Sequence, residues 1–487
     1  MPNRPILRGA VIAGAAAVLA GCVSQGGLAP QAHLQDPDRL KASTTLSVAQ
    51  VTPAAWPARD WWRRYGDAQL NQLLDEALGS NPTMRIAEAR VRQASGAATA
   101  AGAALLPQVN ANARSSRVEF SKNSNIPPPL AGNWRWSNEA SLGFGYELDF
   151  WGKNQAALDA AVGRQKAAEA ESEAARLVLT VGVTHTYLKL SQLYAQRDLA
   201  VDVLKQRQQV LTLTEQRLRA KIDSEADRSQ AALAIPVAQA DIAALDEAIA
   251  LVRTELAALL GAGPDRGASI VRPQLQAVKP AGVPTVLPSE LLARRTDLVA
   301  QRWRVESSRR EIDVAKTLFY PSINLQGLLG LQTLGFSKFL QGSSTFASAG
   351  PALSLPIFDA GRLRGNLAVR DAEYDLAVEA YNLTLIEALR DVASQLVAID
   401  WLSTRNTLQA QALASAEQAY ELSLQRYKAG VGNYLQVLAT QLQVLQQQRA
   451  QIELDTRAFE LDMQLVRALG GGYSNSSTNE HHDADKS

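Results

Sequence analysis

The chain has 487 residues, with 49 Lys+Arg against 48 Asp+Glu, four histidines and a single cysteine. The charge balance excludes a polybasic nucleic-acid binder, and one cysteine excludes internal disulfides and a Cys-based metal cage. Hydrophobic residues make up 46% and aromatics 6%, so the apolar mass is aliphatic: enough for a large core, too much for a disordered chain.

Residues 1–21 read as a lipoprotein signal peptide. Arg4 and Arg8 form a positive start, and the apolar run Gly9 to Leu19 is too short to span a bilayer as a helix. It ends in Leu19-Ala20-Gly21-Cys22, which resembles the lipobox of bacterial lipoproteins. That resemblance implies diacylglycerol and an acyl chain on Cys22, and Val23 in place of an aspartate implies sorting to the outer membrane. Several acyl chains would hold the protein firmly, at roughly 0.8 kcal/mol per buried CH₂. The alternative is a cysteine that happens to lie in a signal peptide.

Residues 22–80 form an N-terminal segment. From Asn81 onward the chain is a duplication. Arg90, Val91, Ala101, Pro107 and Asn110 match Arg304, Val305, Ala315, Pro321 and Asn324 at an offset of 214, and Gly152, Arg217, Leu233, Leu260 and Gly261 match Gly361, Arg426, Leu442, Leu469 and Gly470 at 209. The first repeat covers 81–261. It has a hairpin at about 107–151, a long helix at 152–220 and a returning helix at 224–261. A Pro/Gly-rich linker (262–288) leads to the second repeat, 289–470, with a hairpin at about 321–360, a long helix at 361–429 and a returning helix at 433–470. About 69 helical residues reach roughly 100 Å, and Leu413, Ala416, Tyr420, Ser423 and Tyr427 fall at coiled-coil spacing.

The hairpins rest on period two. Leu142, Phe144, Tyr146, Leu148 and Phe150 alternate with small or polar residues, as do Ile323, Leu325 and Leu329, then Leu353, Leu355 and Ile357. An apolar face on strands of about ten residues suits a barrel in lipid. Four strands cannot close a barrel alone, so several chains must contribute if the strands lie in a membrane. The alternative is a small β-subdomain on a periplasmic scaffold. Residues 471–487 are a polar tail with His481, His482, Asp483 and Asp485; disorder is the plainer reading than a weak metal site.

An ordered set of motifs carries a family resemblance over nearly all of the mature chain. Trp61-Trp62, Tyr65-Gly66-Asp67 and Asn81-Pro82 come first. The corners Tyr146-Glu147-Leu148-Asp149-Phe150-Trp151-Gly152-Lys153 and Leu355-Pro356-Ile357-Phe358-Asp359-Ala360-Gly361-Arg362 follow. Arg426 to Leu435 and Ala468-Leu469-Gly470-Gly471-Gly472-Tyr473 complete the set. Together they resemble the outer-membrane efflux factors, the TolC-like group, in its NodT-like and OprM-like lipoprotein branch. The resemblance implies a mainly α fold with a β-barrel portion. In it a homotrimer shares a 12-stranded outer-membrane β-barrel, four strands per chain, above a long α-helical periplasmic barrel and a mixed equatorial domain. It implies an exit duct of a tripartite efflux pump that passively conducts drugs or toxic small molecules. The partners would be a periplasmic membrane-fusion adaptor, an inner-membrane transporter and outer-membrane lipid. No cofactor or metal is implied beyond the lipid on Cys22.

The resemblance places a gate at the turns between long and returning helices, with Asn433 and Leu435 at the constriction. Ala439 and Leu442 stand where the family commonly has Asp and Arg, which puts the usual acidic ring in doubt. Asp223, Glu225 and Asp227 could supply negative charge instead, or could simply cap the returning helix. Gly430, Val431 and Gly432 look like the turn offered to an adaptor; Lys221 and Ile222 occupy the first-repeat counterpart, which lacks both glycines. Pro236 should kink its helix. No phosphate loop, HExxH or GxSxG occurs, so no enzyme is expected. The rival reading is a lipid-anchored periplasmic coiled-coil scaffold or adaptor without a pore.

Overall fold

A computed structural model describes residues 25–36, 40, 55–276 and 291–474. Cys22, part of the linker and the histidine-bearing tail lie outside the described residues. The elements follow from local chemistry. Asp67 accepts from the backbone N–H groups of Gln69 and Leu70 and so starts α1 (Ala68–Ser80), which buries Leu70, Leu73, Leu74 and Ala77 along one stripe. Pro82 opens α2 (Pro82–Gly102), where its missing N–H costs nothing. Strands β1 (Gln108–Glu119) and β2 (Trp134–Leu148) precede α3 (Lys153–Arg219) and α4 (Glu225–Leu259). The second half repeats the order: α5 (Thr296–Thr317), β3 (Ser322–Leu334), β4 (Thr345–Ser354), α6 (Arg362–Lys428) and α7 (Tyr434–Ala468). Helices α3 and α6 have 67 residues each, or roughly 100 Å. Pro236 lies within α4 without ending it. Among the described residues no helix is long and apolar enough to cross a membrane.

The chain divides into two compact units. The first takes the N-terminal segment through Leu34, residues 91–168 and residues 301–381. It contains one antiparallel sheet in the order β1-β2-β3-β4. The register puts Val109 beside Phe144, Gly327 and Ala349, and Ala111 beside Leu142, Leu329 and Ala347. These rows form one apolar face, because alternate residues share a face. The other face carries Asn110, Asn112, Ser141, Asn324 and Gln326, with glycines between. A small core of Ile312, Ala315, Phe319, Leu363 and Leu367 joins α5 to α6. The N-terminal segment is tied to α6 where Gln31 N–H and Ala32 N–H both donate to the Asp375 carboxylate, at 2.9 and 2.8 Å.

Two strand limits differ from the sequence pattern. Phe150 lies past the end of β2, because Phe150 N–H turns back to Leu148 C=O and the Asp149 carboxylate takes Gln155 N–H to lead into α3. Leu355 and Ile357 lie past β4; Pro356 offers no N–H to continue the ladder, and Asp359 takes the N–H groups of Gly361 and Leu363 to begin α6. Alternation persists there without pairing. At its other end β2 extends back to Trp134.

The second unit takes residues 35–90, 169–300 and 382–487. Its main core gathers Trp61, Trp62, Tyr65 and Leu70 with Tyr187, Leu190, Ile249, Leu256 and Val466. Asp462, fully buried, accepts from the Tyr65 hydroxyl at 2.9 Å and pairs with Arg64. The linker is pinned here: Gln276 N–H donates to Tyr65 C=O and Gln274 N–H to Asp67. The duplication is visible in the backbone. Each returning helix ends on a glycine with positive φ, Gly261 (73°) and Gly470 (92°). A Cβ on Gly261 would strike Ser80 and Asn81; on Gly470 it would strike Arg294 and Arg295. Asn81 and Arg295 are themselves repeat partners, so glycine is required twice for the same close approach.

Candidate functional site: the paired turns and the four-stranded sheet

The turn after α3 and the turn after α6 are the same structure. Ala220, Lys221 and Ile222 N–H groups donate to Gln216, Leu218 and Arg217 carbonyls; Ala429, Gly430 and Val431 donate to Gln425, Tyr427 and Arg426. All three bonds repeat at the offset of 209. The pattern closes a helix through one left-handed residue. That residue is Gly430 (φ 82°) in one turn and Lys221 (φ 59°) in the other. The missing glycines therefore do not change the first turn. They cost it strain, of order 1–2 kcal/mol for an L-residue. Ile222 and Val431, equivalent positions, are 58% and 71% exposed.

The three acids of the first turn, read from sequence as one negative cluster or as caps, are separately engaged. Asp227 forms a capping box with Ser224 at the start of α4. Glu225 pairs with Arg228 at 2.8 Å on the surface. Asp223 is bound bidentately by Arg217, with nitrogens at 2.9 and 3.0 Å, and receives the Tyr427 hydroxyl at 2.5 Å. Arg217 also donates to Tyr427 C=O at 2.6 Å and covers its ring at 4.3 Å, while Thr214 meets the Tyr427 hydroxyl at 2.9 Å. This buried cluster fastens the first turn to the second. Burial works against the Asp223 charge, but Arg217 and Tyr427 together hold its carboxyl below the ordinary value. The Tyr427 hydroxyl is pushed up to about 12 by burial and by its carboxylate acceptor. Arg426, the repeat partner of Arg217, is exposed.

Asn433 is the N-cap of α7 and accepts from Gln436 N–H at 3.0 Å. Leu435, in the first turn of α7, is 54% exposed. The heptad spacing places Tyr427 at a packed core position, which it occupies, but does not pair it with Arg217, Thr214 or Asp223. One signal was present: Asp223 stands where the other repeat has Gly432, six residues after an arginine common to both.

The sheet presents a second surface. Its apolar face exposes Val109, Leu142, Leu329 and Leu353. Aromatics flank that band. Trp151 stacks on Tyr320 with ring centroids 4.9 Å apart at the helix end, and Trp136 meets Phe336 at the loop end. Apolar height bounded by aromatic residues is the pattern of strands in a bilayer. Among the described residues, both edges, β1 and β4, end the sheet without a neighbouring strand.

Comparison with known proteins decides the family. The sequence profile of outer membrane efflux proteins matches residues 73–262 and again residues 287–471. The chain belongs to the outer membrane efflux protein family. It is 40% identical over 358 residues to the fusaric acid resistance protein FusA of Burkholderia cepacia, a match covering 73% of this chain and 67% of that one. It is 31% identical over 484 residues to the multidrug resistance outer membrane protein MdtP of Escherichia coli K12, covering 95% and 96%. Among solved structures it resembles the outer membrane protein VceC of Vibrio cholerae, with TM-score 0.81 and 36% identity over 86% of this chain and all of that one. The twofold match is the duplication read from the residues. This is an outer-membrane protein, a channel component of efflux systems.

Proposed function

We propose that three copies of the chain form one exit duct of a tripartite pump. The observation that carries this is the sheet: four strands, one apolar face and two unpaired edges. In hydrocarbon every unpaired backbone group costs several kcal/mol, so such a sheet must close on other copies. A seam on α6 supports the same assembly. Val369, Leu376, Leu383 and Val397 are exposed at intervals of seven or fourteen, as are Trp401, Leu408 and Leu422. A heptad seam left open in one chain suits a helical neighbour.

In this reading α3 and α6 build the periplasmic conduit, and the Arg217–Asp223–Tyr427 cluster holds its turns together. Exposed Ile222 and Val431 receive the adaptor, and an inner-membrane transporter supplies energy. The chain itself does no chemistry. The fusaric acid and multidrug resistance of relatives support small amphiphilic toxic compounds as cargo. A lipid on Cys22 would anchor each copy beside the barrel. The test is mass and conductance together. Detergent-purified protein should have three times the chain mass after correction for detergent, and should give discrete current steps in planar bilayers. A stable monomer without conductance overturns the proposal.

A further inference from the structure

The polar face of the sheet carries few charges, and their placement is specific. Arg114 on β1 and Glu139 on β2 are direct register partners on that face, and the next partner of Glu139 is the neutral Gln332 on β3. Rows toward the helix end are Asn, Gln, Ser, Gly and apolar residues until Glu147. Glu147 is neutralised by Lys153 at 2.6 Å. At the turns, Asp223 is held by Arg217 and Glu225 by Arg228. The charges in the middle of that face are therefore Arg114, exposed, and Glu139, half-buried, about 20 Å along the strand from where β1 begins; Arg135, beside Val118, adds a positive charge on the same face nearer the loop end.

We propose that this row balances charge at mid-height of the pore. The inference rests on the trimeric channel described above. Closing three sheets brings three guanidinium groups and three carboxylates to one height of the lumen. A low-dielectric wall focuses their field on passing solutes. With both signs present the field alternates around the ring and the net charge is zero. Cations, anions and zwitterions then pass on similar terms, as suits a duct for amphiphiles of mixed charge. Removing one sign leaves three like charges at one height.

The experiment is the cation-to-anion permeability ratio in planar bilayers under a low-salt KCl gradient, where screening is weak. The wild-type ratio sets the reference. Arg114→Gln should favour K⁺ and Glu139→Gln should favour Cl⁻, each by about threefold or more. The double variant should return to the wild-type ratio. Each variant is first checked for trimer mass and wild-type current steps. If either single variant fails to assemble, the swapped chain Arg114→Glu with Glu139→Arg keeps the ring neutral and should match wild type, and the surviving single variant still decides the sign. Unchanged ratios, or shifts in the same direction, overturn the charge balance while leaving the channel intact. Absence of current in wild type would instead remove the channel reading itself.

Discussion

The Tyr427 hydroxyl lies 2.5 Å from Asp223 Oδ2, although the two residues are 204 positions apart in the chain. This hydrogen bond, with those of Arg217 and Thr214 to Tyr427, joins the two halves of a duplication at their turns, and Arg217 neutralises the acceptor. Removing one partner from a buried ion pair costs roughly 3–5 kcal/mol. Asp223→Ala should loosen the turns, raise conductance and sensitise cells to large hydrophilic antibiotics. Tyr427→Phe should do the same more weakly. Unchanged conductance in both would mean that the cluster holds nothing shut.

The same pair fixes a pH window. The folded Asp223 carboxyl titrates below its ordinary value, so its contribution is complete above about pH 4 and is lost as pH falls further. Conductance should stay constant from pH 8 to pH 5 and rise only in stronger acid. A rise centred near pH 6 would point to a different group.

Lys221 holds a left-handed conformation that glycine adopts without strain. Lys221→Gly should stabilise the protein by about 1 kcal/mol, and Gly430→Ala should destabilise it by a similar amount. Thermal unfolding of the two variants should therefore shift in opposite directions.

Asp371 on α6 is buried, and among the described residues neither carboxylate oxygen has a hydrogen-bond partner. Burial raises its pKa; Lys316 offsets part of that and Asp375 adds to it. An acid with a raised folded pKa favours the folded state at low pH, and that benefit disappears as pH climbs above the unfolded value near 4. Asp371→Leu should stabilise at pH 7 by about 1–3 kcal/mol and flatten the pH dependence. A loss of stability at neutral pH would show that the carboxylate has a partner in the assembled protein.

Ile222 and Val431 are apolar side chains held in the open at matching turns. Changing both to Asp should leave trimer mass and conductance intact while abolishing drug resistance in cells. Loss of the trimer instead would place these residues inside the assembly.

Much of this architecture is legible because it is repetitive. A proline-poor heptad pattern sustained through α3 and α6 admits little but a long helix, and a common Leu-Gly at the end of each returning helix exposes the duplication. The strand limits were harder. Phe150, Leu355 and Ile357 keep the alternation of apolar residues, yet Asp149 turns the chain ahead of Phe150, and Pro356 and Asp359 lead Leu355 and Ile357 away from the ladder into α6. Alternation reports which face is apolar, not which groups pair. The first half of β2 is obscured because Asn138 interrupts the apolar row of Trp134, Trp136 and Ala140. Asp223 looked like one member of an acidic cluster because its neighbours in sequence are acidic, while its partner Tyr427 belongs to the other repeat. Nothing in a lysine announces the left-handed turn at Lys221.

The two bare edges of the sheet also set a rule for biosynthesis. A strand ladder that ends at β1 and β4 is finished only when other copies arrive, so in the proposed trimer the amount of closed barrel at equilibrium scales with the cube of the free-chain concentration. Its yield depends on local concentration rather than on the stability of one molecule. Modest cuts in synthesis should then remove assembled ducts more than proportionally, and any copy that waits carries an open β edge exposed to the wrong partner. Copy number is in this sense part of the fold.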